Sequence, residues 1–323
     1  PYFPMQSQCI FSVKTPVGPP VEIIRHTFAS QSPQPTKSVS IVAGLHGDEF
    51  EGLHICHRLL QILKNLEEQN SSAFKGEINI YPAVNPQALE TGTRLWPFFA
   101  NDINRTFGGK KINSLPDETS RTLFNDLKSS SDLVIDIHSS NLYLMELPQI
   151  RIIKSFEKKL APLAKLCNVD LIWIHPHAQV FESTLGYNLN QAQIPTLVIE
   201  TGICIRINKH HCAQIVLGTL NLLRQIGVLD TDEPQVKIAE PRLVEPEGVT
   251  MVQASGGGLF IKKVEVGKIL TAGEIIGTLI DPISGKVQEE IRSPCCGLLF
   301  TLREHPLTAK GSPLARIAKE ESA

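Results

Sequence analysis

The segment GLHGDEFEG (residues 44–52) carries an imidazole and a carboxylate three residues apart, at His46 and Glu49. The imidazole directly follows a predicted buried strand, and the carboxylate lies at the start of a predicted helix. Zn²⁺ accepts both ligand types, and a catalytic zinc site keeps three protein ligands beside one open position. This pair therefore predicts part of a metal centre that needs a third ligand.

The third ligand and a catalytic base are predicted at the ends of two further strands. His138 ends the apolar run in DLVIDIHSS, and Glu200 ends the run in IPTLVIETG. In open α/β sheets, sites form beyond the carboxyl ends of the strands, so these two side chains and His46 are expected at one edge. A lone His-x-x-Glu spacing recurs by chance, and the prediction depends on this convergence.

Four motifs, in this order, resemble the succinylglutamate desuccinylase/aspartoacylase family, deacylases that share the zinc carboxypeptidase fold. The resemblance covers residues 38–205 and rests on GLHGDEFEG, NPQALETGTR (residues 85–94), DINRTF (residues 102–107) with DIHSS, and IPTLVIETG. It implies one Zn²⁺ per chain, held by His46, Glu49 and His138. It also implies that Glu200 is the general acid/base.

The same resemblance assigns roles to residues that the pattern alone leaves as surface charges. It implies that Arg94 polarises the scissile carbonyl. It also implies that Asn104 and Arg105 hold a substrate carboxylate, which a planar guanidinium meets bidentately. Asp102 is expected to accept a hydrogen bond from His46 and so fix the tautomer of that ligand. From the residues alone, Asp136 competes for this role, because it lies two residues before His138 on the same strand face.

These side chains require a sheet that brings the ends of distant strands together. From about residue 38 to 226, short β-branched runs alternate with helical spacing, which predicts an α/β fold with a mostly parallel sheet flanked by helices. The predicted strands cover residues 39–43, 77–81, 133–137, 171–174 and 196–199.

A second region follows a Pro-rich and acid-rich segment at 230–240, which suits a linker. Turn glycines between short β-prone runs predict an all-β domain over 241–323, after a catalytic domain over 1–229. The run at 270–280 is echoed at 307–317, and together they resemble a biotinyl/lipoyl-type barrel-sandwich domain. A similar domain lies beside the active site in members of the family, which implies narrowed access and small substrates.

Composition limits the partners that we expect. The chain has 42% hydrophobic and 20% charged residues, which is ordinary for a globular protein. Its formal net charge of −2 gives no positive electrostatic field that would attract nucleic acid or anionic membranes. Seven cysteines without a C-x-x-C pair predict reduced thiols. With no signal-like or membrane-spanning run, the expected location is the cytoplasm. Assembly into a homo-oligomer stays open.

The expected function is hydrolysis of the amide of a small N-acyl amino acid or related N-acyl amine, by a zinc-bound water that Glu200 activates. A zinc carboxypeptidase acting on short peptides is an alternative, since the same constellation serves both reactions. A non-catalytic metal-binding or interaction protein is the alternative from another class. A carrier role is disfavoured, because Lys286 lacks the flanking pattern of a modified lysine at a hairpin tip.

Overall fold

The computed structural model describes residues 5–30, 35–109, 112–231 and 238–320. The helices are α1 (Glu51–Gln69), α2 (Pro86–Thr91), α3 (Leu115–Ser130), α4 (Glu157–Ala164), α5 (Leu185–Gln191) and α6 (Lys209–Gln225). The strands that precede α6 are β1 (Gln6–Val13), β2 (Val21–Phe28), β3 (Ser38–Ala43), β4 (Glu77–Tyr81), β5 (Leu133–Ser139), β6 (Leu144–Ile153), β7 (Leu171–His175) and β8 (Thr196–Gly202).

The central part of the sheet is parallel, with strands in the order β4-β3-β5-β8. Side chains alternate between the two faces of a buried strand, so each face needs its own helical cover. On β3, Ile41 belongs to an apolar cluster with Leu59 of α1 and Ile215 of α6. The adjacent Val42 belongs to a second cluster with Leu123 of α3. The predicted α/β class is therefore confirmed.

All five predicted strands are present, as β3, β4, β5, β7 and β8. Three other strands that precede α6 were not predicted. The first two, β1 and β2, extend the sheet antiparallel beside β4. The third, β6, lies antiparallel to β8 and parallel to β7. Its register against β8 shifts by one residue between Glu146 and Gln149, which is a β-bulge.

The C-terminal region is all-β, as predicted. Its strands are β9 (Arg242–Val244), β10 (Val249–Gln253), β11 (Gly258–Lys262), β12 (Ile269–Leu270), β13 (Ile275–Ile280), β14 (Val287–Arg292), β15 (Gly297–Arg303), β16 (Leu307–Thr308) and β17 (Pro313–Lys319). Four of them form a separate antiparallel sheet in the order β14-β13-β11-β16. The buried side chains of Phe260, Leu279, Leu302 and Ile317 belong to one apolar core of this region.

The C-terminal region is also joined to the central sheet by backbone pairing. Strand β15 pairs antiparallel with β6, and β17 and β10 continue beyond it. Strand β9 pairs with β7. The division into domains at 1–229 and 241–323 remains a prediction, and residues 232–237 of the predicted linker lie outside the described residues.

Two further observations concern the class of protein. Within the described residues, no helix combines the length and the apolar character needed to cross a membrane. All seven cysteines are free thiols.

Candidate active site

The three predicted metal ligands meet at the carboxyl edge of the parallel strands. His46 and Glu49 lie in the turn between β3 and α1, and His138 lies near the end of β5. His46 Nδ1 is 2.7 Å from Glu49 Oε1, and His138 Nδ1 is 3.0 Å from Glu49 Oε2. Each of the three residues is 3% exposed. The structure thus brings two imidazoles to one buried carboxylate, with their potential ligand atoms within 4.8 Å of one another.

The second nitrogen of each imidazole is engaged by its own aspartate. Asp102 Oδ1 lies 3.0 Å from His46 Nε2, and Asp136 Oδ2 lies 3.0 Å from His138 Nε2. The sequence presented these two aspartates as competitors for one role, whereas the structure gives one to each histidine. This arrangement directs both Nδ1 atoms towards Glu49 and fits the outer-shell carboxylates that orient metal-bound histidines.

The electrostatics of this cluster suit a cation. Burial favours the neutral form of Glu49, but His46 and His138 outweigh it and hold the pKa of this carboxyl well below its ordinary value. Burial likewise opposes protonation of His138, yet Asp136 and Glu49 raise its pKa well above the usual 6.5. Two imidazole nitrogens and one carboxylate form a donor set that fits Zn²⁺.

A second group of potential ligands adjoins the first and includes Asp48, Glu49 and Cys204. Burial, together with the negative charges of Glu49 and Asp48, raises the pKa of the Cys204 thiol well above its ordinary value. Its Sγ donates a hydrogen bond to the Ser140 carbonyl at 2.7 Å. Since a thiol binds metal as the thiolate, this group is the weaker candidate.

Arg94 lies beside the cluster, where it contacts two of the acidic side chains. Its Nε and Nη2 donate to Asp102 Oδ2 at 3.2 and 3.1 Å, and its Nη1 is 3.4 Å from Glu49 Oε1. These contacts hold the guanidinium beside the candidate metal ligands, although the side chain is 39% exposed.

The predicted carboxylate-binding pair lies on the short 3₁₀ turn Ile103–Arg105, which Asp102 caps by accepting from Asn104 N at 2.9 Å. Asn104 is buried, and its Oδ1 accepts a hydrogen bond from Leu185 N at 2.9 Å. Arg105 is exposed and donates to the Asn104 carbonyl at 2.8 Å. Both residues line the cavity that contains the candidate ligands.

Glu200 faces the same cavity from β8, where it pairs in register with His138 of the neighbouring strand. Burial raises the pKa of its carboxyl and outweighs the opposing effect of Arg151. A raised carboxyl pKa suits a group that must accept and return a proton near neutrality.

The cavity measures about 450 Å³ and has walls of mixed character. Beyond the candidate ligands it is lined by apolar and aromatic side chains, and by charged side chains that sequence analysis missed. His175 is the last residue of β7 and lines the wall; burial, Arg151 and Arg316 lower its pKa to about 3. The apolar and aromatic residues include Ile153, Phe156, Leu160, Phe181, Tyr187 and Val198.

Three charged residues in the cavity wall were not predicted from the sequence: Glu146, Arg151 and Arg316. The first two lie on β6, which was itself missed, and the third lies on β17 of the C-terminal region. A charged residue within an apolar run, such as Arg151 in the segment PQIRII, was the one available signal for them.

The fold and the site together define an α/β protein with a candidate metal centre at the carboxyl edge of a parallel sheet. Residues 35–226 match the model of the succinylglutamate desuccinylase/aspartoacylase catalytic domain, and the chain belongs to this family. The membership inferred from the four motifs is therefore confirmed.

The chain is also similar to individual proteins in sequence and in fold. The chain is 25% identical over 297 residues to N-alpha-acetyl-L-2,4-diaminobutyric acid deacetylase of Halomonas elongata, covering 86% of this chain and 81% of that protein. The fold resembles a succinylglutamate desuccinylase/aspartoacylase from Rhodobacter sphaeroides, with a TM-score of 0.77 at 20% identity over 94% of this chain and 90% of that one. It also resembles the product-bound ectoine utilization protein EutE (DoeB) from Ruegeria pomeroyi, with a TM-score of 0.74, 20% identity and the same coverage.

Proposed function

We propose that this protein is a zinc-dependent hydrolase that cleaves the amide bond of a small N-acyl amino acid or related N-acyl amine. The observation that carries this proposal is the pair of imidazole Nδ1 atoms directed at Glu49, at 2.7 and 3.0 Å, in a cavity that also contains Glu200. His46, Glu49 and His138 would hold the metal ion. When bound, Zn²⁺ supplies a lowered pKa of about 7 for a coordinated water and polarisation of the amide carbonyl.

Glu200 is the proposed general acid/base. Its carboxylate accepts the proton of the attacking water and returns it to the departing amine, so the amine leaves in neutral form. The burial that raises its pKa favours this exchange, because a strongly acidic carboxyl would not take the proton.

Three residues would bind and orient the substrate. Arg94 donates a hydrogen bond to Asp102 and would stabilise negative charge that develops on the carbonyl oxygen. Asn104 and Arg105 line the same cavity and would hold the free carboxylate of the amino acid. The family match and the deacetylase relative, whose name specifies an N-acetyl amino acid, support an acyl amino acid as substrate.

The proposal is tested by free-amine release from N-acetyl and N-succinyl amino acids and short peptides, using zinc-loaded protein of measured metal content. Glu200→Gln should retain zinc and lose most turnover, whereas His138→Ala should lose both. Removal of zinc by a chelator should abolish turnover, and added zinc should restore it.

The control outcomes separate the alternatives. Turnover of peptides but not of acyl amino acids would favour a carboxypeptidase. Full activity in Glu200→Gln would reject the assigned base, and zinc binding without any turnover would favour a non-catalytic binding protein.

A further inference from the structure

Glu146 is a buried carboxylate that joins the catalytic region to the C-terminal region. The residue lies on β6 and is 1% exposed. Its Oε2 accepts hydrogen bonds from Arg151 Nη2 at 2.7 Å and from Gln149 Nε2 at 3.0 Å. Its Oε1 accepts from Arg316 Nη1 at 2.6 Å and from Thr301 Oγ1 at 3.4 Å. Each oxygen thus has one guanidinium and one neutral donor, which compensates a charge that would be costly to bury alone.

Arg151 connects this carboxylate to the proposed base. Its other terminal nitrogen, Nη1, lies 3.4 Å from Glu200 Oε1. Its guanidinium carbon is 5.6 Å from the ring centre of Trp173, and that of Arg316 is 5.5 Å from the same ring. Cation–π attraction to one indole therefore helps to hold both guanidiniums in place. The resulting chain of contacts runs from Arg316 through Glu146 and Arg151 to Glu200.

Backbone pairing sets the first link of this chain. Thr301 of β15 is in register with Glu146 of β6, and Arg316 of β17 is in register with Thr301. Cross-strand partners project from the same face of a sheet, so the three side chains form one row across three strands. Glu146 and Arg316 are 170 residues apart in sequence, and the Arg316 side chain is 18% exposed. This differs from a surface ion pair such as Arg292 with Glu290, where the side chains are 51% and 45% exposed.

We infer that Arg316, supplied by the C-terminal region, is a positioning residue for Glu200 and acts through Glu146 and Arg151. The inference rests on the proposed function, in which Glu200 carries the proton. Without Arg316, Oε1 of Glu146 keeps only its longer contact with Thr301, and the buried carboxylate draws both terminal nitrogens of Arg151 to itself. Arg151 then turns away from Glu200, and the base loses its anchor.

The first test uses the zinc-loaded, full-length protein with an acyl amino acid that it hydrolyses. Arg316→Met should lower kcat about tenfold or more and leave KM and zinc content nearly unchanged, because misplacing a catalytic group affects the chemical step. Arg316→Lys should retain part of the activity. Arg292→Met is the matched control, an arginine-to-methionine change in the same region, and should leave kcat unchanged.

A second variant separates positioning from a general loss of structure. In the double variant Glu146→Gln with Arg316→Met, the neutral amide competes less for Arg151, so kcat should recover towards the wild-type value. If Arg316 had a purely structural role, kcat would not recover in the double variant when its melting temperature equals that of Arg316→Met. An increase in KM alone in Arg316→Met would overturn the inference by making Arg316 a substrate ligand.

The inference is also decided without turnover. Crystal structures of zinc-loaded wild-type protein and Arg316→Met should show that Arg151 Nη1 has left Glu200 and that the Glu200 carboxylate has moved. An unchanged Glu200 position would overturn the inference even for an enzyme of unknown substrate. Failure of the wild-type protein to hydrolyse any acyl amino acid would count against the proposed function instead.

Discussion

Asp136 and His138 lie two residues apart on β5, with the Oδ2 of the carboxylate 3.0 Å from the Nε2 of the imidazole. The spacing places both side chains on one face of the strand. Since Nε2 is engaged, Nδ1 is the nitrogen that faces Glu49. The orientation of this candidate ligand is therefore set by a residue of its own strand.

We predict that Asp136→Asn weakens zinc binding about 10-fold to 100-fold, because the amide no longer fixes the tautomer and basicity of His138. The measurement is competition for zinc against a chelating dye. Asp132→Asn is the matched control and should leave the affinity unchanged, since Asp132 is an exposed aspartate directly before the first residue of β5. Equal affinities for wild type and Asp136→Asn would contradict the assignment of His138 as a ligand through Nδ1.

Arg94→Met should reduce kcat/KM about 10²-fold to 10³-fold, the cost of one preorganised donor to a developing oxyanion. Arg94 contacts Asp102 and Glu49, so zinc content must be measured for each variant. The kcat/KM of Arg94→Lys should lie between those of the wild type and Arg94→Met, because lysine keeps the positive charge and lacks the planar, bidentate guanidinium. Arg58→Met, a change to an exposed arginine on α1, serves as the control. Loss confined to zinc content would assign Arg94 a role in the metal site only.

Gly47→Ala should displace the turn that carries His46 and Glu49. A Cβ at this position would lie 2.0 Å from the Ala88 carbonyl oxygen and 2.4 Å from that of Thr93, so the backbone must move. We expect weaker zinc binding and a lower melting temperature, measured by metal titration and thermal unfolding. Gly256→Ala is the control, because its nearest neighbour would be 3.7 Å away and the change should be tolerated.

Stability should fall in mild acid, partly through His211. Burial, with the adjacent His210, lowers its pKa to about 4, and Nδ1 has no hydrogen-bond partner among the described residues. The unfolded state, with a pKa near 6.5, binds the proton first, so stability is lost as pH falls from about 6.5 towards 4.

This group should account for about 2 kcal/mol of the unfolding free energy lost between pH 7 and pH 5. The measurement is urea unfolding of the wild-type protein and of His211→Gln at both pH values. The variant should show the smaller loss. An equal loss in both proteins would exclude His211 as the titrating group.

The sequence determined the parallel part of the fold and the identity of the candidate metal centre. Strands β3, β5 and β8 are short apolar runs with chemistry-bearing residues at their carboxyl ends, and this local pattern predicts both the strand and the edge where its last residues lie. His46, His138 and Glu200 were found in this way. Glu49 followed from its spacing to His46, although α1 begins two residues later, at Glu51.

Tertiary structure alone decided how the aspartates are shared. Asp102 and Asp136 have the same side chain, and residue type alone does not show which histidine each of them contacts. The choice depends on where the turn at residues 102–105 folds against β3, which no local pattern specifies. The structure places Asp102 beside His46 and leaves Asp136 to His138.

The charged wall of the cavity also depended on tertiary structure. In a regular strand, Glu146 and Arg151, five residues apart, would project from opposite faces. The bulge between Glu146 and Gln149 shifts the register by one residue and brings Glu146 and Arg151 to the same cavity. Arg151 Nη2 is there 2.7 Å from Glu146 Oε2.

The sequence by itself thus determined the parallel strands β3, β4, β5 and β8 and the residues at their ends, because strand formation and side-chain alternation are local properties. The assembly of the site from β6 and β17 was decided by pairing between segments more than 150 residues apart, as in Thr301 with Glu146. Such pairing depends on the global arrangement of strands, so the local sequence of either segment does not predict it.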